Sequence, residues 1–369
     1  MRVIMTGGGT GGHIYPAIAI ADEIRKRDES SRILFVGAER GLEKKLVPEN
    51  GYPIELINVE GFNRKKLLKN FKVIRELKRG EKKAREIIKG FNPEAVIGTG
   101  GYASAPVVRM AQKMGIPTYI HEQNAFPGMS NKALEKHVRK VFLGFEEGGE
   151  YFRHKEKHVV SGNPVRENFS KQTRTEARKA LGFGENDFIL LSFGGSQGAG
   201  RINKAMLKVI EAFNGVGDMR VCLATGSFYY DAILDEIKNM GIDLKENIKI
   251  MEYIKDMDKY LAASDIVVSR SGALTVAEVT VCGIPAVFIP SPLVTGNHQY
   301  FNAKAVSDKG GAIVIEEKDL TNEELISTVL RLKNDPEVLK DMSAKSRKCA
   351  PKDAARIICD TIWDDLGIQ

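Results

Sequence analysis

Short apolar, β-branched runs alternate with amphipathic stretches of ten or more residues along nearly the whole chain. In the first half, residues 2–6, 33–37, 54–59, 95–98, 117–121 and 141–143 read as strands, and 17–27, 74–89 and 105–114 carry helical spacing. A second series follows, with strands predicted at 188–193, 220–224, 248–251, 266–269, 285–289 and 312–315. Its helices are predicted at 202–213, 231–240, 274–282, 302–308 and 323–332. Near-continuous apolar strands separated by helices are the pattern of parallel sheets with crossover helices, an α/β fold. A last helix is expected over 354–366, with Ile357, Ile358, Ile362, Trp363 and Leu366 at apolar spacing.

The two series resemble one another. Each opens on a strand that runs into a glycine-rich turn, at Gly7 and again at Gly194, 187 residues later. Two similar domains are the economical reading of 369 residues. The boundary is expected at Gly162-Asn163-Pro164-Val165, where Pro164 interrupts the pattern and restricts Asn163. That divides the chain into 1–162 and 163–352.

Candidate chemistry gathers in the glycine loops. Gly7-Gly8-Gly9-Thr10-Gly11-Gly12-His13 lies between a strand and a helix, with Pro16 suited to that helix's first turn. Glycine lets backbone approach a ligand without a Cβ clash, and a helix N-terminus offers free N–H groups to an anion. Gly7, Gly9 and Gly12 satisfy GxGxxG, and Glu39 follows the second strand, so a NAD-dependent dehydrogenase stands as an alternative. The loops 98–104 and 194–200 hold equivalent positions at strand ends. Several such loops point to a large or composite ligand in a cleft between domains. None ends in Gly-Lys-Ser/Thr, which argues against a Walker-type ATPase. In Ser269-Arg270-Ser271-Gly272-Ala273-Leu274-Thr275-Val276-Ala277-Glu278, a helix starting near Ala273 would present its amides, with Glu278 one turn further. That carboxylate could take both vicinal hydroxyls of a ribose, or form a capping box with Thr275.

Charge changes the picture in one segment. The net +7 is mild, but residues 61–90 hold twelve lysines and arginines against three glutamates, leaving the remainder slightly acidic. Phe62, Leu67, Leu68 and Phe71 interleave with Arg64, Lys65, Lys66, Lys69 and Lys72, a mixture suited to an anionic membrane surface. With only Phe62 and Phe71 to stack on bases, nucleic acid is not an expected partner. No apolar run is long enough to span a bilayer, and the N-terminal apolar stretch is too short for a signal peptide. Cys222, Cys282, Cys349 and Cys359 show no CxxC or metal-like spacing and read as buried thiols of a reducing compartment.

Seven motifs in order carry a resemblance to a known family: Gly8-Gly9-Thr10-Gly11-Gly12-His13, Gly100-Gly101-Tyr102, His121-Glu122-Gln123-Asn124 and Gly162-Asn163-Pro164-Val165-Arg166, then Gly194-Gly195-Ser196-Gln197-Gly198, Arg270-Ser271-Gly272-Ala273-Leu274-Thr275 and Gln299-Tyr300-Phe301-Asn302-Ala303. Together they resemble the MurG family, transferases that add N-acetylglucosamine to lipid I in peptidoglycan synthesis.

The resemblance implies a GT-B fold, two Rossmann-like domains across a deep cleft, with residues 353–369 packing back onto the first. It implies an inverting, UDP-N-acetylglucosamine-dependent hexosyltransferase that uses no cofactor or metal, peripheral on the cytoplasmic face of the membrane, with lipid I as acceptor. Another UDP-sugar enzyme of this fold, such as a diacylglycerol glycosyltransferase or an epimerase, is the alternative within it. By resemblance Ser196 contacts the diphosphate beside the amides of Ala273, Leu274 and Thr275. Glu278 takes the ribose, and Arg166 and the Ile254 backbone lie near the nucleotide. Asn124 and Gln299 read the sugar, and Thr10, Gly11 and Gly12 close over it. Tyr102 and Glu122 face the acceptor, and His13 is the candidate general base. The chain departs from the family at His298, where glutamine is common, and at Gly200, an inserted glycine expected to loosen a helix start. Asp256-Met257-Asp258 imitates a metal-binding DxD but reads as a capped helix start.

Overall fold

The computed structural model describes residues 1–59, 70–195 and 197–368; the side chains of 70–77 lie outside that description. The chain divides into two compact units, Met1–Val165 with Pro351–Gln369, and Arg166–Ala350.

The first unit is built on seven parallel strands: β1 (Arg2–Gly7), β2 (Arg32–Ala38), β3 (Ile54–Ile57), β4 (Ala95–Gly100), β5 (Thr118–Glu122), β6 (Lys140–Leu143) and β7 (His158–Val160). Their order in the sheet is β3-β2-β1-β4-β5-β6-β7. Consecutive residues of β1 point to opposite faces, and both faces are covered, so Val3, Ile4 and Met5 are all buried. Ile4 joins Val96, Ile120 and Val141 under Ala84 and Ile88 of helix Asn70–Phe91 and Val107 and Val108 of helix Ser104–Lys113. Val3 and Met5 join Ile97, Tyr119 and Phe142 on the other face, under Ile14, Ile20 and Ile24 of helix Gly11–Arg27.

That second core is completed by the chain's last helix, Ala354–Leu366, through Ile358, Cys359 and Ile362. Polar contacts pin its outer edge. The Tyr119 hydroxyl donates to Asp365 at 2.5 Å, Arg139 reaches the same carboxylate at 3.1 Å, and Arg27 pairs with Asp360 at 2.7 Å.

The second unit has six parallel strands, β8 (Phe188–Phe193), β9 (Met219–Ala224), β10 (Ile248–Met251), β11 (Ile266–Ser269), β12 (Ala286–Phe288) and β13 (Ala312–Val314), ordered β10-β9-β8-β11-β12-β13. Its main core packs Leu190, Val221, Leu223 and Val268 against helices Gly200–Phe213 and Asn322–Asn334. Both sheets therefore follow the doubly wound order 3-2-1-4-5-6, with a seventh strand added to the first. The order reverses between β1 and β4 in one unit and between β8 and β11 in the other.

Three differences from the sequence reading stand out. The short strand β7 carries no pattern to reveal it. Helix Gly11–Arg27 starts six residues before the expected 17, because its first turn is made of glycines and a histidine. Pro16 consequently lies inside the helix and not in its first turn. The cysteines are not uniformly buried: Cys222 and Cys359 are, while Cys282 and Cys349 are half-buried.

Candidate functional site

In open α/β sheets, ligands bind beyond the carboxyl ends of the strands at the reversal point. The glycine loops occupy those ends. In the first unit, the loop after β1 meets the loop after β4, where Gly8 N–H donates to the Gly100 carbonyl at 3.2 Å. The β1–β4 register shifts there: Thr6 pairs with Gly98 and Gly7 with Gly100, leaving Thr99 as an extra residue. That bulge turns the Thr99 carbonyl onto His13 Nδ1 at 3.0 Å, while the Thr99 hydroxyl donates to the His13 carbonyl at 2.7 Å. Gly100, at φ +99°, leaves room for the ring, since a Cβ there would fall 2.9 Å from His13 Nδ1.

The loop after β1 is held from behind by a residue that motif reading missed. Glu43, fully buried at the start of helix Glu43–Glu49, accepts the Gly9 N–H and the Ala38 N–H, each at 2.8 Å. The dinucleotide reading assigned a carboxylate role to Glu39, but Glu39 is exposed. Glu43, packed under the loop, is the carboxylate that this glycine run accommodates.

The remaining residues of this unit divide by exposure. Thr10 is the extended N-cap of helix Gly11–Arg27 and makes no side-chain cap, so the amides of Gly11 and Gly12 are not consumed by it. Tyr102 is 62% exposed at the tip of its loop. Glu122, expected to face an acceptor, is only 2% exposed and is turned into the protein. Its carboxylate accepts from Asn124 N–H (3.1 Å), the Asn124 side-chain amide (3.1 Å), Gly128 N–H (3.0 Å) and the Asn131 amide (2.8 Å). It shapes the loop that presents Asn124.

In the second unit, the corresponding ends belong to the loop after β8 and the loop after β11. Ser196 lies outside the described residues. Helix Gly200–Phe213 starts at the departing glycine itself, on Ala199 as N-cap and without a side-chain cap. Helix Ala273–Cys282 likewise starts on Gly272, which has no side chain to cap with. By contrast, Thr173 and Thr321 cap the helices Arg174–Leu181 and Asn322–Asn334 with their hydroxyls. The amides of Ala273, Leu274 and Thr275 thus begin a helix whose N-cap supplies no acceptor, the arrangement that suits an anion. With Gly272 as N-cap, Thr275 is the third helical residue, which removes the capping-box reading of Thr275 and Glu278.

Burial pushes the Glu278 carboxyl up to about 7, against the lowering influence of Arg166. The Arg166 guanidinium lies 5.2 Å over the Phe169 ring. Gln299 is anchored from both ends: its side-chain oxygen accepts Ser291 N–H at 2.8 Å, and its carbonyl accepts the Ser271 hydroxyl at 2.8 Å. Asn302, wholly buried, donates to the Ser271 carbonyl at 3.2 Å and so ties its motif to the loop after β11. Ile254 follows β10 and is buried as a whole residue. His298 Nδ1 lies 2.8 Å from the Thr295 carbonyl on an exposed turn.

Asp256 stands at the N-cap of helix Met257–Ala263 but does not cap it with its side chain; it pairs with Lys259 at 3.7 Å, and Asp258 is buried. A cavity of about 360 Å³ lined by Phe169, Val281, Cys282, Leu339 and Arg347 lies at the other end of helix Ala273–Cys282 and includes none of the Ala273–Glu278 residues. Of the basic segment, Phe62, Lys65, Lys66, Leu67, Leu68 and Lys69 lie outside the described residues, as does the side chain of Phe71. Among the described residues, no helix is long and apolar enough to cross a membrane.

Residues 3–143 match the model of the glycosyltransferase family 28 N-terminal domain, and residues 189–358 that of the family 28 C-terminal domain. The chain is 45% identical over 358 residues to a UDP-N-acetylglucosamine–N-acetylmuramyl-(pentapeptide) pyrophosphoryl-undecaprenol N-acetylglucosamine transferase of Thermoanaerobacter sp. (strain X514), covering 97% of this chain and 98% of that protein. It is 43% identical over 364 residues to the protein of the same name from Acetivibrio thermocellus, covering 99% and 98%. Among solved structures, MurG of Acinetobacter baumannii matches with a TM-score of 0.78 at 27% identity, covering 98% of this chain and 99% of that one. A UDP-GlcNAc 2-epimerase from Neisseria meningitidis, bound to UDP-GlcNAc, matches with a TM-score of 0.71 at 14% identity over 99% and 100%, a likeness of fold. The two doubly wound units are of the GT-B type.

Proposed function

The chain belongs to glycosyltransferase family 28, and from that we infer that it transfers N-acetylglucosamine from UDP-N-acetylglucosamine to the N-acetylmuramyl-pentapeptide of an undecaprenyl-pyrophosphoryl acceptor. It is a hexosyltransferase of peptidoglycan synthesis that makes lipid II from lipid I. The observation that carries the substrates is the identity of 45% across 97% of the chain to a curated transferase of that name.

The second unit takes the donor. Glycosyl transfer with inversion leaves negative charge on the departing diphosphate; the helix N-terminus at Ala273, Leu274 and Thr275 meets that charge, and Ser196 is a further diphosphate contact. Glu278 accepts the ribose hydroxyls, the Ile254 backbone frames uracil, and Arg166 adds positive charge near the nucleotide. Gln299 reads the sugar; the anchoring of its side-chain oxygen by Ser291 N–H leaves its amide hydrogens to do so. Asn124, Thr10, Gly11 and Gly12 serve the same sugar.

The first unit takes the acceptor. The 4-hydroxyl of the N-acetylmuramyl residue attacks the anomeric carbon, the bond to the UDP oxygen breaks, and the hydroxyl proton passes to His13. General-base assistance of this kind is worth ~10²–10⁴ in rate. Tyr102 lies exposed for contact with the acceptor, whereas buried Glu122 acts through the loop it organises. The basic, apolar-studded segment that includes Phe62, Lys65, Lys66, Leu67, Leu68, Lys69 and Phe71 docks the enzyme on the anionic cytoplasmic face of the membrane that holds the acceptor.

The test is direct. Labelled UDP-N-acetylglucosamine supplied with a lipid I analogue should yield a labelled disaccharide-bearing lipid. Release of UDP without that product, or epimerised donor in its place, would overturn the assignment.

A further inference from the structure

A chain of hydrogen bonds runs inward from His13 through two residues to which the reaction as described gives no role. It can be read from its buried end, because a carbonyl only accepts. His121 Nε2 lies 3.0 Å from the Gly162 carbonyl, so that nitrogen carries a proton. His121 is completely buried, and burial pushes it down to about 4, so near neutrality the ring is uncharged and Nδ1 is a bare acceptor. Gln123 meets that Nδ1 at 2.9 Å, and the same Gln123 atom also lies 2.8 Å from the Thr99 carbonyl and 3.3 Å from the His121 carbonyl. All three partners are acceptors, so this atom is the amide nitrogen, and Gln123 Oε1 must point the other way.

Oε1 then lies 3.1 Å from His13 Nδ1, which is also 3.0 Å from the Thr99 carbonyl. Two acceptors on one ring nitrogen require the proton there. We propose that Gln123 and His121 are positioning residues that lock neutral His13 as the Nδ1–H tautomer, leaving Nε2 bare for the acceptor's hydroxyl proton. This rests on the reading of His13 as the base.

The arrangement also serves the charged state. When Nε2 takes the proton, the imidazolium's Nδ1–H becomes a stronger donor to both the Thr99 carbonyl and Gln123 Oε1. No reorganisation is needed, because both acceptors are already aimed. The supports of the relay are themselves held: the Asn163 amide donates to the Gln123 carbonyl at 3.0 Å, and the Asn131 amide to the His121 carbonyl at 3.2 Å. The motifs His121-Glu122-Gln123-Asn124 and Gly162-Asn163 thereby act together. Their buried members orient the histidine, and Glu122 organises the loop bearing Asn124.

Imidazole ¹⁵N NMR on the full-length protein tests this without relying on catalysis, with a His13→Gln variant to assign the His13 signals. At neutral pH the wild-type spectrum should show His13 protonated at Nδ1 and His121 at Nε2. A His13 protonated chiefly at Nε2, or a His121 protonated at Nδ1, overturns the proposal, and this readout needs no relay variant to fold. In Gln123→Leu, the His13 tautomers should mix and kcat should fall roughly tenfold, with the KM for UDP-N-acetylglucosamine within about twofold of wild type. Unchanged tautomer and unchanged kcat in that variant would also overturn it. Full turnover by His13→Gln would instead sink the reading of His13 as base, while the spectrum would still decide the tautomer.

Discussion

Glu43 holds Gly9: its buried carboxylate accepts the Gly9 backbone N–H at 2.8 Å and, with its other oxygen, the Ala38 N–H at 2.8 Å. The end of β2 is thereby tied to the glycine loop after β1. Gly8 must lack a side chain for this, since a Cβ would fall 2.1 Å from Glu43 Oε1.

Replacing Glu43 with Ala should strand the buried Ala38 N–H and free the Gly9 N–H of the exposed loop. One unsatisfied buried group costs about 1–3 kcal/mol, and a loss of that order is expected in the first unit. Chemical denaturation read by a probe in that unit should register it. Glu43→Gln keeps an acceptor for one N–H and should lose about half as much. Turnover should fall in both variants, because the loop whose first turn carries His13 is no longer held. A Glu43→Ala protein with wild-type stability would contradict this account.

The last helix is part of the first unit's core. Ile358, Cys359 and Ile362 are fully buried there, and Asp365 receives Tyr119 and Arg139. Ending the chain at Ala350 should expose the face of the sheet that holds Val3 and Met5 and leave the first unit insoluble or molten. Asp365→Ala alone should cost about 1–3 kcal/mol, since it strips a charge-assisted partner from the hydroxyl of the buried Tyr119. Limited proteolysis distinguishes the outcomes: fragments of the first unit should appear early while residues 166–350 persist. Equal resistance of both units in the truncated chain would refute the docking role.

The basic segment makes a quantitative prediction. Each lysine near an anionic surface contributes about 1 kcal/mol, so Lys65, Lys66 and Lys69 changed together to Gln should lower partition onto phosphatidylglycerol vesicles roughly 10²-fold. Salt should weaken wild-type binding in the same direction. Equal sedimentation of the wild type with neutral and anionic vesicles would eliminate the electrostatic surface.

Parallel sheet is the part of the fold that local pattern reveals best. Strands β8 and β11 lie at the predicted residues because each is an apolar run buried on both faces and closed by a turn, and β10 because Ile248 and Ile250 alternate with exposed Lys249. Polar, lysine-rich helices are harder: Glu43–Glu49 buries only Glu43 and Val47, and Pro336–Lys348 only Met342 and Ser346, so both read along the chain as solvated surface. The site divides the same way. His13, Gly100 and Gln299 sit in motifs that can be read along the chain. Glu43 stands in a run that looks like a solvated surface, Glu-Lys-Lys, and only the return of the chain beneath the β1 loop buries it. Glu122 misleads for the converse reason, since an acidic residue among motif neighbours reads as a contact group until its four backbone and amide donors are seen.

Glu278 gives donor binding a pH dependence. An ionised carboxylate offers each vicinal ribose hydroxyl a charged acceptor oxygen, whereas a protonated one accepts more weakly and spends one oxygen on its own proton, and burial holds this one protonated up to about pH 7. Affinity for UDP-N-acetylglucosamine should therefore rise as pH increases through 7 and level off above it, by up to tenfold per pH unit on the acid side. The donor's diphosphate is esterified at both ends and has no proton to lose in this range, so the profile reports on the protein. Free-protein stability runs the other way. A carboxyl raised from 4.5 to about 7 by folding contributes most below 4.5, and that contribution is lost as pH rises to 7. Tighter donor binding at higher pH thus cannot come from a better-folded site. Titration calorimetry between pH 5.5 and 8.5 should show the rise in the wild type. In Glu278→Gln the Glu278 component should disappear, with affinity at high pH down by ~10–100-fold for the charge-assisted hydrogen bonds lost. A wild-type affinity that stays flat across that range would exclude Glu278 as the ribose acceptor.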